Sequence, residues 1–238
     1  MTEVKGHQKE ENIKELLESF VKASERKRLV SLKVLEERVE ELMELGSSLM
    51  SGFDNDLCDW APGFILQLIH KTDENFIKNN LGCDDLSWFT TSSDVCFDYA
   101  PLQRYLLNES FEEADRFTSS KLRELAGDQA VKRGYVYFSE VESIPSIDLA
   151  TLNKLWIVYS RGKFGFTVQA KILNSVGGSY EKLWPRIGWK KDGIWTRYPK
   201  AFNWSIEAPS GHMPLINQLR GVRLMDCLLN HPALITKS

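Results

Sequence analysis

The sequence contains only four cysteines, and they form no recognisable metal-binding pattern. Cys58, Cys83, Cys96 and Cys227 include no Cys-x-x-Cys pair, and with four histidines in the chain no set of zinc-ligand spacings emerges. Scattered cysteines of this kind are typical of reduced thiols. We therefore expect no metal site and a protein that works in a reducing compartment.

Catalytic motifs are also missing. The chain has no Gly-x-Ser-x-Gly, no His-Glu-x-x-His and no P-loop. The acidic runs Glu112–Arg116 and Ser139–Ser143 are typical of solvated helix faces or caps. We expect His212, beside a predicted helix start, to be a cap or structural hydrogen bonder rather than a metal ligand. The sequence thus predicts a binding protein rather than an enzyme.

No apolar run approaches the length that crosses a membrane. The first residues, MTEVKGHQKEEN, lack the apolar core of a signal peptide and are too acidic for a transit peptide. These observations predict a soluble protein that is made where it works.

The charge is divided unevenly along the 238 residues. The formal net charge is −3, but residues 1–97 carry 11 Lys/Arg and 19 Asp/Glu, whereas residues 98–238 carry 19 and 14. The second part is therefore mildly basic, at +5, which favours an anionic ligand there. This excess is too small to demand a nucleic acid.

Helical periodicity dominates the first part of the chain. Apolar residues at three- and four-residue spacing form two stripes in residues 10–50, and a Gly-, Pro- and Asx-rich break follows from Ser51 to Gly63. A helix then resumes, and the polar, Ser-rich stretch Thr91–Asp98 indicates a hinge. We predict a small N-terminal helical bundle over 1–95 and a second domain over 96–238.

The second part is also predicted to be helical. Pro101 suits the first turn of a helix, residues 111–127 run from an acidic first turn to a terminal glycine, and Asp148 is placed to cap the next helix. We expect a last helix from Met213 to Asn230, with Pro214 in its first turn. Only YVYF, at 135–138, alternates like a strand, so the prediction is an all-α protein.

Aromatic residues are concentrated between Trp184 and Trp204. Four of the seven tryptophans lie in this stretch, beside five Lys/Arg and a single acid. Flat apolar faces next to cations suit a flat, anionic, conjugated ligand, although an aromatic core with snorkelling bases has the same composition. We expect residues 190–212 to form a long irregular loop, because loops of such length in a compact domain are usually functional.

Within this stretch, position separates two groups of aromatics. Trp184 and Trp189 flank Pro185 at a spacing that suits a packed turn, so we expect them in the core. Trp195, Tyr198 and Phe202 lie on the loop, where exposed rings are expected to cover a ligand.

Two arginines in the predicted last helix form a candidate anion site. Arg220 and Arg223 are three residues apart, hence on nearly one face, and Gly221 between them costs about 1 kcal/mol in a helix interior. A close approach by a dicarboxylic ligand would explain that cost, since each guanidinium can bind one carboxylate. Alternatively, both arginines tie the helix to the loop or to Glu140 and Glu142.

Several motifs carry a family resemblance. KLWPRIGWK, WTRYPKAFNW, APSGHMPLINQLRGVR, LRELAG and YFSEVESIPSIDLATLNKLW resemble the porphyrin-binding family called "genomes uncoupled", over about residues 98–232. The resemblance implies a cup-shaped helical domain with a mobile aromatic flap. It implies binding of protoporphyrin IX and magnesium protoporphyrin IX, and stimulation of magnesium chelatase through its large porphyrin-binding subunit.

The resemblance also assigns the site. It implies porphyrin contacts by Phe138, Trp195, Tyr198, Phe202, Asn217, Arg220 and Arg223. Tyr198 stands where the pattern commonly has Trp, which reduces the stacking surface. The family works in cyanobacteria and plastids, so we expect the cytoplasm or the plastid stroma, with no catalytic cofactor. A monomer with weak peripheral membrane association is the expected state.

Two other functions fit parts of the sequence. A single-strand nucleic-acid binder uses the same aromatics and basic groove, although the modest +5 charge argues against it. An enzyme of tetrapyrrole metabolism would need an acid–base pair or metal set, which the sequence does not supply.

Overall fold

The computed structural model describes residues 12–216 and 221–235, and nearly all regular structure in them is helical. Short 3-10 helices occur at Gly46–Ser48, Phe138–Ser143 and Pro232–Leu234. The α-helices are α1 (Ile13–Lys22), α2 (Glu25–Glu37), α3 (Val39–Glu44), α4 (Trp60–Thr72), α5 (Phe76–Leu81), α6 (Ala100–Leu107), α7 (Phe111–Ala126), α8 (Asp128–Arg133), α9 (Ser146–Val158), α10 (Phe166–Ser175), α11 (Tyr180–Arg186) and α12 (Arg223–Leu229). The predicted all-α fold is confirmed.

The two predicted apolar stripes are the buried faces of α1, α2 and α3. Arg28 of α2 joins these helices to the next part of the chain. Its guanidinium pairs with Asp59, donates to the Val21 carbonyl oxygen, and lies against the Phe20 and Trp60 rings. A partly buried guanidinium with all these partners fixes the geometry between α1, α2 and α4.

Helix α4 begins earlier than the sequence predicted. The break was expected to reach Gly63, but the helix starts at Trp60, because the Asp59 carboxylate accepts the Ala61 N–H and caps it. Pro62 lies in the first turn, where a missing N–H costs nothing. Gly63 then lets α4 touch α9: a Cβ at this position would lie 2.0 Å from the Val158 carbonyl oxygen.

Helix α9 lies at the centre of the core. Its Asp148 is fully buried and accepts hydrogen bonds from the Ser93 hydroxyl, the Asp94 N–H and the Tyr99 hydroxyl. The prediction that Asp148 caps this helix is wrong, because Pro145 occupies the cap position and Asp148 lies within the first turn. The carboxylate instead fastens the predicted hinge segment to α9.

Buried residues from both parts of the chain belong to one hydrophobic cluster. Across it, the Gln67 amide of α4 donates to the carbonyl oxygens of Leu106 and Tyr159, both at 2.8 Å. The division at Thr91–Asp98 stays a prediction.

The predicted helix start at Met213 is wrong. Residues 213–216 are not helical, Gly221 has φ +87°, and helix α12 begins at Arg223. The backbone around Met213 bonds elsewhere: Gly165 N–H donates to its carbonyl oxygen, and the Gln169 amide donates to Pro214. These tertiary hydrogen bonds replace the helical ones. Gly221 therefore allows a left-handed backbone conformation, and it does not make room for a ligand inside a helix.

Candidate functional site

A cleft of about 930 Å³ opens between helix α7 and the aromatic loop. Two smaller cavities adjoin it and share lining residues with it or with each other, so that the three together run from Trp195 to Arg223. Residues that line more than one of these cavities are Ser119, Arg123, Gly134, Leu215, Tyr135, Val136 and Leu224. The volume of the main cleft is in the range of small-molecule and cofactor sites.

A small hairpin forms one wall of the cleft. Strands β1 (Lys190–Lys191) and β2 (Ile194–Trp195) pair antiparallel around Asp192 and Gly193, which both have positive φ. Such a two-residue turn is typical of a type I′ hairpin, and the dipeptide Asp-Gly is its strongest signal. The sequence interpretation as a plain loop missed this signal.

Two buried tryptophans support that hairpin. The Trp184 and Trp189 rings stack with centroids 5.7 Å apart, and the Trp189 indole N–H donates to the His212 carbonyl oxygen at 2.8 Å. Both rings are at most 2% exposed, so their predicted core position is confirmed. Trp195 packs on this pair, with its ring 5.4 Å from Trp184.

The aromatic flap, defined here as residues 195–204, presents two of the three predicted rings to solvent. Trp195 is 46% exposed and Tyr198 is 45% exposed, and both line the cleft. Phe202 is only 8% exposed, because it packs between Tyr198, Trp204 and His212. The expectation that Phe202 is a solvent-exposed ring is wrong. Phe202 still lines the cleft, and its ring packs edge-to-face against the ring of Tyr198.

His212 anchors the base of the flap. Its ring lies 4.9 Å from the Phe202 ring, and its Nδ1 donates to the Ile187 carbonyl oxygen at 2.6 Å. Burial lowers the pKa of His212, so the neutral ring is favoured. The histidine is a structural hydrogen bonder, as expected, although no helix starts beside it.

Helix α7 forms the opposite wall, which the sequence interpretation missed. Asp115, Ser119 and Arg123 are spaced four residues apart and so lie on one face, toward the cleft. The prediction of a solvated acidic face is wrong for Asp115, which is 2% exposed. This regular spacing of polar residues is the signal that could have revealed the wall.

The Asp115 carboxyl is the most unusual group in the cleft. Burial raises its pKa to about 7, against the Leu215 N–H, which donates to the carboxyl oxygen at 2.6 Å and lowers the pKa. The Tyr198 hydroxyl faces the same carboxyl. Arg116 is exposed beside it and pairs with Glu112 at 2.5 Å.

Arg223 and Phe138 meet at the far end of the groove. The Arg223 guanidinium lies 5.3 Å from the centroid of the Phe138 ring, which is 42% exposed. Glu140 does not hold this arginine, because its carboxylate pairs with Arg133 at 2.6 Å. Within residues 12–216 and 221–235, no carboxylate pairs with Arg223. Asn217 and Arg220, both predicted site residues, lie outside the described residues.

Two absences in the described part of the chain bear on other chemistry. No group of three or more His, Cys, Asp or Glu is arranged to hold a metal ion there. Among the helices it contains, none has the length and apolar character needed to cross a membrane.

Comparison with known proteins shows extensive similarity. A family model described as GUN4-like matches residues 92–232. The chain is 40% identical over 228 residues to the "Ycf53-like protein" of Synechocystis sp., which covers 93% of this chain and 96% of that protein. It is 40% identical over 144 residues to the "Tetrapyrrole-binding protein, chloroplastic" of Arabidopsis thaliana, covering 57% and 54%.

Solved structures match more than half of the chain. The "Structure of GUN4 from Chlamydomonas reinhardtii" superposes with a TM-score of 0.59 at 38% identity, over 64% of this chain and 99% of that one. The "ligand-free structure of Arabidopsis thaliana GUN4" gives 0.55 at 40% identity, over 59% and 100%. The helical fold that carries the cleft is therefore shared with these proteins.

Proposed function

The chain belongs to the GUN4-like family, and from this premise we propose that it binds a flat dicarboxylic tetrapyrrole in the groove between α7 and the aromatic flap. The proposed ligands are protoporphyrin IX and magnesium protoporphyrin IX. A relative in Arabidopsis thaliana is named a tetrapyrrole-binding protein, which supports this ligand class.

The groove itself is the observation that carries the proposal. Trp195 and Tyr198 offer exposed aromatic faces at one end, and the exposed Arg223 guanidinium lies at the other. A macrocycle can stack on the rings while its propionates reach the arginine, and guanidinium–carboxylate pairs are among the stronger charge-assisted hydrogen bonds. Arg220 and Asn217 complete the proposed set on the basis of the sequence motif.

We propose a non-catalytic role for this binding. The protein would present protoporphyrin IX to the large porphyrin-binding subunit of magnesium chelatase, or accept the magnesium product, and so stimulate that enzyme in chlorophyll synthesis. Relatives in Synechocystis sp. and in the chloroplast of Arabidopsis thaliana support a cyanobacterial cytoplasm or a plastid stroma as its location.

A porphyrin titration tests the binding proposal. Protoporphyrin IX is expected to quench tryptophan fluorescence, because Trp189 and Trp195 line the cleft and Trp184 packs against both, and to show a red-shifted Soret band. Binding is expected to change little with salt. A single-stranded DNA titration is the control: tight DNA binding that weakens steeply with salt, without porphyrin binding, would establish the nucleic-acid alternative instead.

The partner proposal needs its own assay. Addition of the full chain to purified magnesium chelatase is expected to raise the rate of magnesium protoporphyrin IX formation, most clearly at low porphyrin concentration. A matched control uses the variant Arg223→Ala with Arg220→Ala. If this double variant stimulates the enzyme as well as the wild type does, stimulation does not depend on the proposed groove.

A further inference from the structure

Asp115 joins the two walls of the cleft. It lies in the second turn of α7 and is almost completely buried, and its carboxyl accepts the Leu215 N–H at 2.6 Å. On its other side it faces the Tyr198 hydroxyl of the flap. One carboxyl therefore contacts both the flap and the chain segment that leads toward helix α12.

The charged groups around Asp115 come from few elements. On α7 itself, Glu112 raises its pKa and Arg116 lowers it. The flap contributes the Tyr198 hydroxyl, and residues 213–216 contribute only backbone, since their side chains carry no charge. Burial outweighs these contacts and places the pKa of Asp115 at about 7. Both protonation states are consequently populated near neutral pH.

Protonation changes what this carboxyl can hold. An ionised carboxylate only accepts hydrogen bonds, and its two oxygens can serve two donors at once, whereas a protonated carboxyl turns one oxygen into a donor. Here the two donors are the Leu215 amide and the Tyr198 hydroxyl. The Tyr198 oxygen can in turn accept from Arg116. The ionised form thus accepts from both donors as a charged group, whereas the protonated form offers Tyr198 only a neutral and weaker hydrogen bond.

We propose that Asp115 is a positioning residue for tetrapyrrole binding, whose carboxylate latches the flap through Tyr198 while it holds the Leu215 segment on α7. The ligand in this inference rests on the proposed function, but the latch belongs to the free protein as well. Opening of the flap, and hence ligand exit, then depends on whether the Asp115 latch is made.

The dissociation rate of bound protoporphyrin IX tests the latch. In the wild type the rate constant is expected to fall about threefold to tenfold between pH 6.5 and 8.5. The Tyr198 contact lowers the pKa of Asp115, so losing this contact when the flap opens costs more free energy for the ionised carboxylate than for the protonated carboxyl. In Asp115→Asn the rate is expected to be fast and to lack this pH dependence, although the amide oxygen can still accept the Leu215 N–H. The pH profile of the dissociation rate in Asp115→Asn also serves as the control for titration of the porphyrin itself, because that titration is the same in both proteins.

Two further variants complete the test. Tyr198→Phe is expected to accelerate dissociation as Asp115→Asn does, and the double variant is expected to add nothing further. Asp94→Asn, an exposed carboxylate away from the cleft, is the control and is expected to keep the wild-type profile. A wild-type pH profile in Asp115→Asn would show that Asp115 has only a structural role and would overturn the inference.

Measurements without ligand separate this inference from the proposed function. Hydrogen exchange of amides 195–204, corrected for intrinsic rates, is expected to show more protection at pH 8.5 than at pH 6.5, and this difference is expected to vanish in Tyr198→Phe. If protoporphyrin IX fails to bind the wild type, the proposed function fails, whereas this exchange still tests the latch. Equal protection in wild type and Tyr198→Phe would refute it, even where Asp115→Asn does not fold.

Discussion

The indole rings of Trp184 and Trp189 stack with their planes 6° apart and their centroids 5.7 Å apart. Helix α11 continues through Pro185, and the chain then reverses at Gly188, which has φ +75°. As a result, two tryptophans that are five positions apart in the sequence meet face to face. The exposed Trp195 rests on this buried pair. The stack therefore holds the hairpin, and with it the start of the flap, against the core.

The Trp189 indole N–H is expected to contribute measurably to stability. Trp189→Phe keeps an aromatic ring but leaves the buried His212 carbonyl oxygen without this donor. We expect a loss of about 1–3 kcal/mol in the free energy of unfolding, measured in urea. Trp204→Phe is the matched control, since its indole donates to Pro199 in a partly exposed setting, and a smaller loss is expected. An equal loss in both variants would mean that ring volume matters more than the hydrogen bond.

The arginines are expected to bind propionates. Arg223→Ala combined with Arg220→Ala removes two proposed charge-assisted contacts, each worth about 1.5–3 kcal/mol, so affinity for protoporphyrin IX falls tenfold or much more. Tryptophan quenching measures the change. The porphyrin dimethyl ester provides the control, because it has no carboxylates and its affinity is expected to change little. Equal losses for both ligands would assign the arginines a structural role.

The two flap positions are expected to respond differently. Tyr198→Trp enlarges an exposed ring, and stacking is worth about 0.5–1.5 kcal/mol beyond burial, so porphyrin binding tightens modestly. Phe202→Ala removes a buried ring, which costs about 3–5 kcal/mol when a core position is emptied. Its loss of affinity is expected together with a lower melting temperature. Unchanged stability in Phe202→Ala would show that the ring belongs to the ligand surface alone.

The lowered pKa of His212 leads us to predict that the stability of the protein depends on pH. Burial lowers its folded-state pKa below the ordinary value of 6.5, so the folded protein resists protonation and the unfolded chain does not. Stability from this group is present above about pH 6.5 and is lost as the pH falls below it. His212→Asn, which can still donate to the Ile187 carbonyl oxygen, is expected to lose less stability between pH 7.5 and 5.5. Urea titrations of both proteins at both pH values give the free energies of unfolding. An equal loss of stability between pH 7.5 and 5.5 in the wild type and the variant would contradict this prediction.

The second part of the chain is expected to fold alone if cut at the right place. Solved relatives correspond to 59–64% of this chain, which supports an independent domain. A fragment 88–238 keeps Ser93 and Asp94, which donate to the buried Asp148, whereas 96–238 lacks both. Both fragments are expected to show helical circular dichroism and to bind porphyrin. The shorter one is expected to be less stable by about 2 kcal/mol or more, since each bond to a charged group is worth about 1.5–3 kcal/mol.

Equal stability of the two fragments would show that the hinge segment contributes nothing to the domain. Absence of folding in both would mean that the contact of α4 with α9, through Gly63 and Val158, is required.

Local patterns in the sequence were sufficient for most of the helices. Apolar residues at helical spacing predicted the buried faces of α1 to α3, and a terminal glycine predicted the end of α7. The paired Trp184 and Trp189 were correctly predicted in the core, although Pro185 lies inside α11 and the chain between them reverses at Gly188. The family motifs gave the correct family. These features depend on residues close together in the chain.

Long-range hydrogen bonds decided what the sequence could not show. Residues 213–216 have a helical pattern, yet Gln169 and Asp115 take their backbone groups and prevent a helix there. Asp148 has the sequence of a cap but serves donors more than fifty residues away. Asp115 lies in an acidic run that resembles a solvated face, and only the approach of Leu215 and Tyr198 buries it. Periodicity reports which residues share a face, whereas burial and pKa depend on the elements that the fold brings against that face.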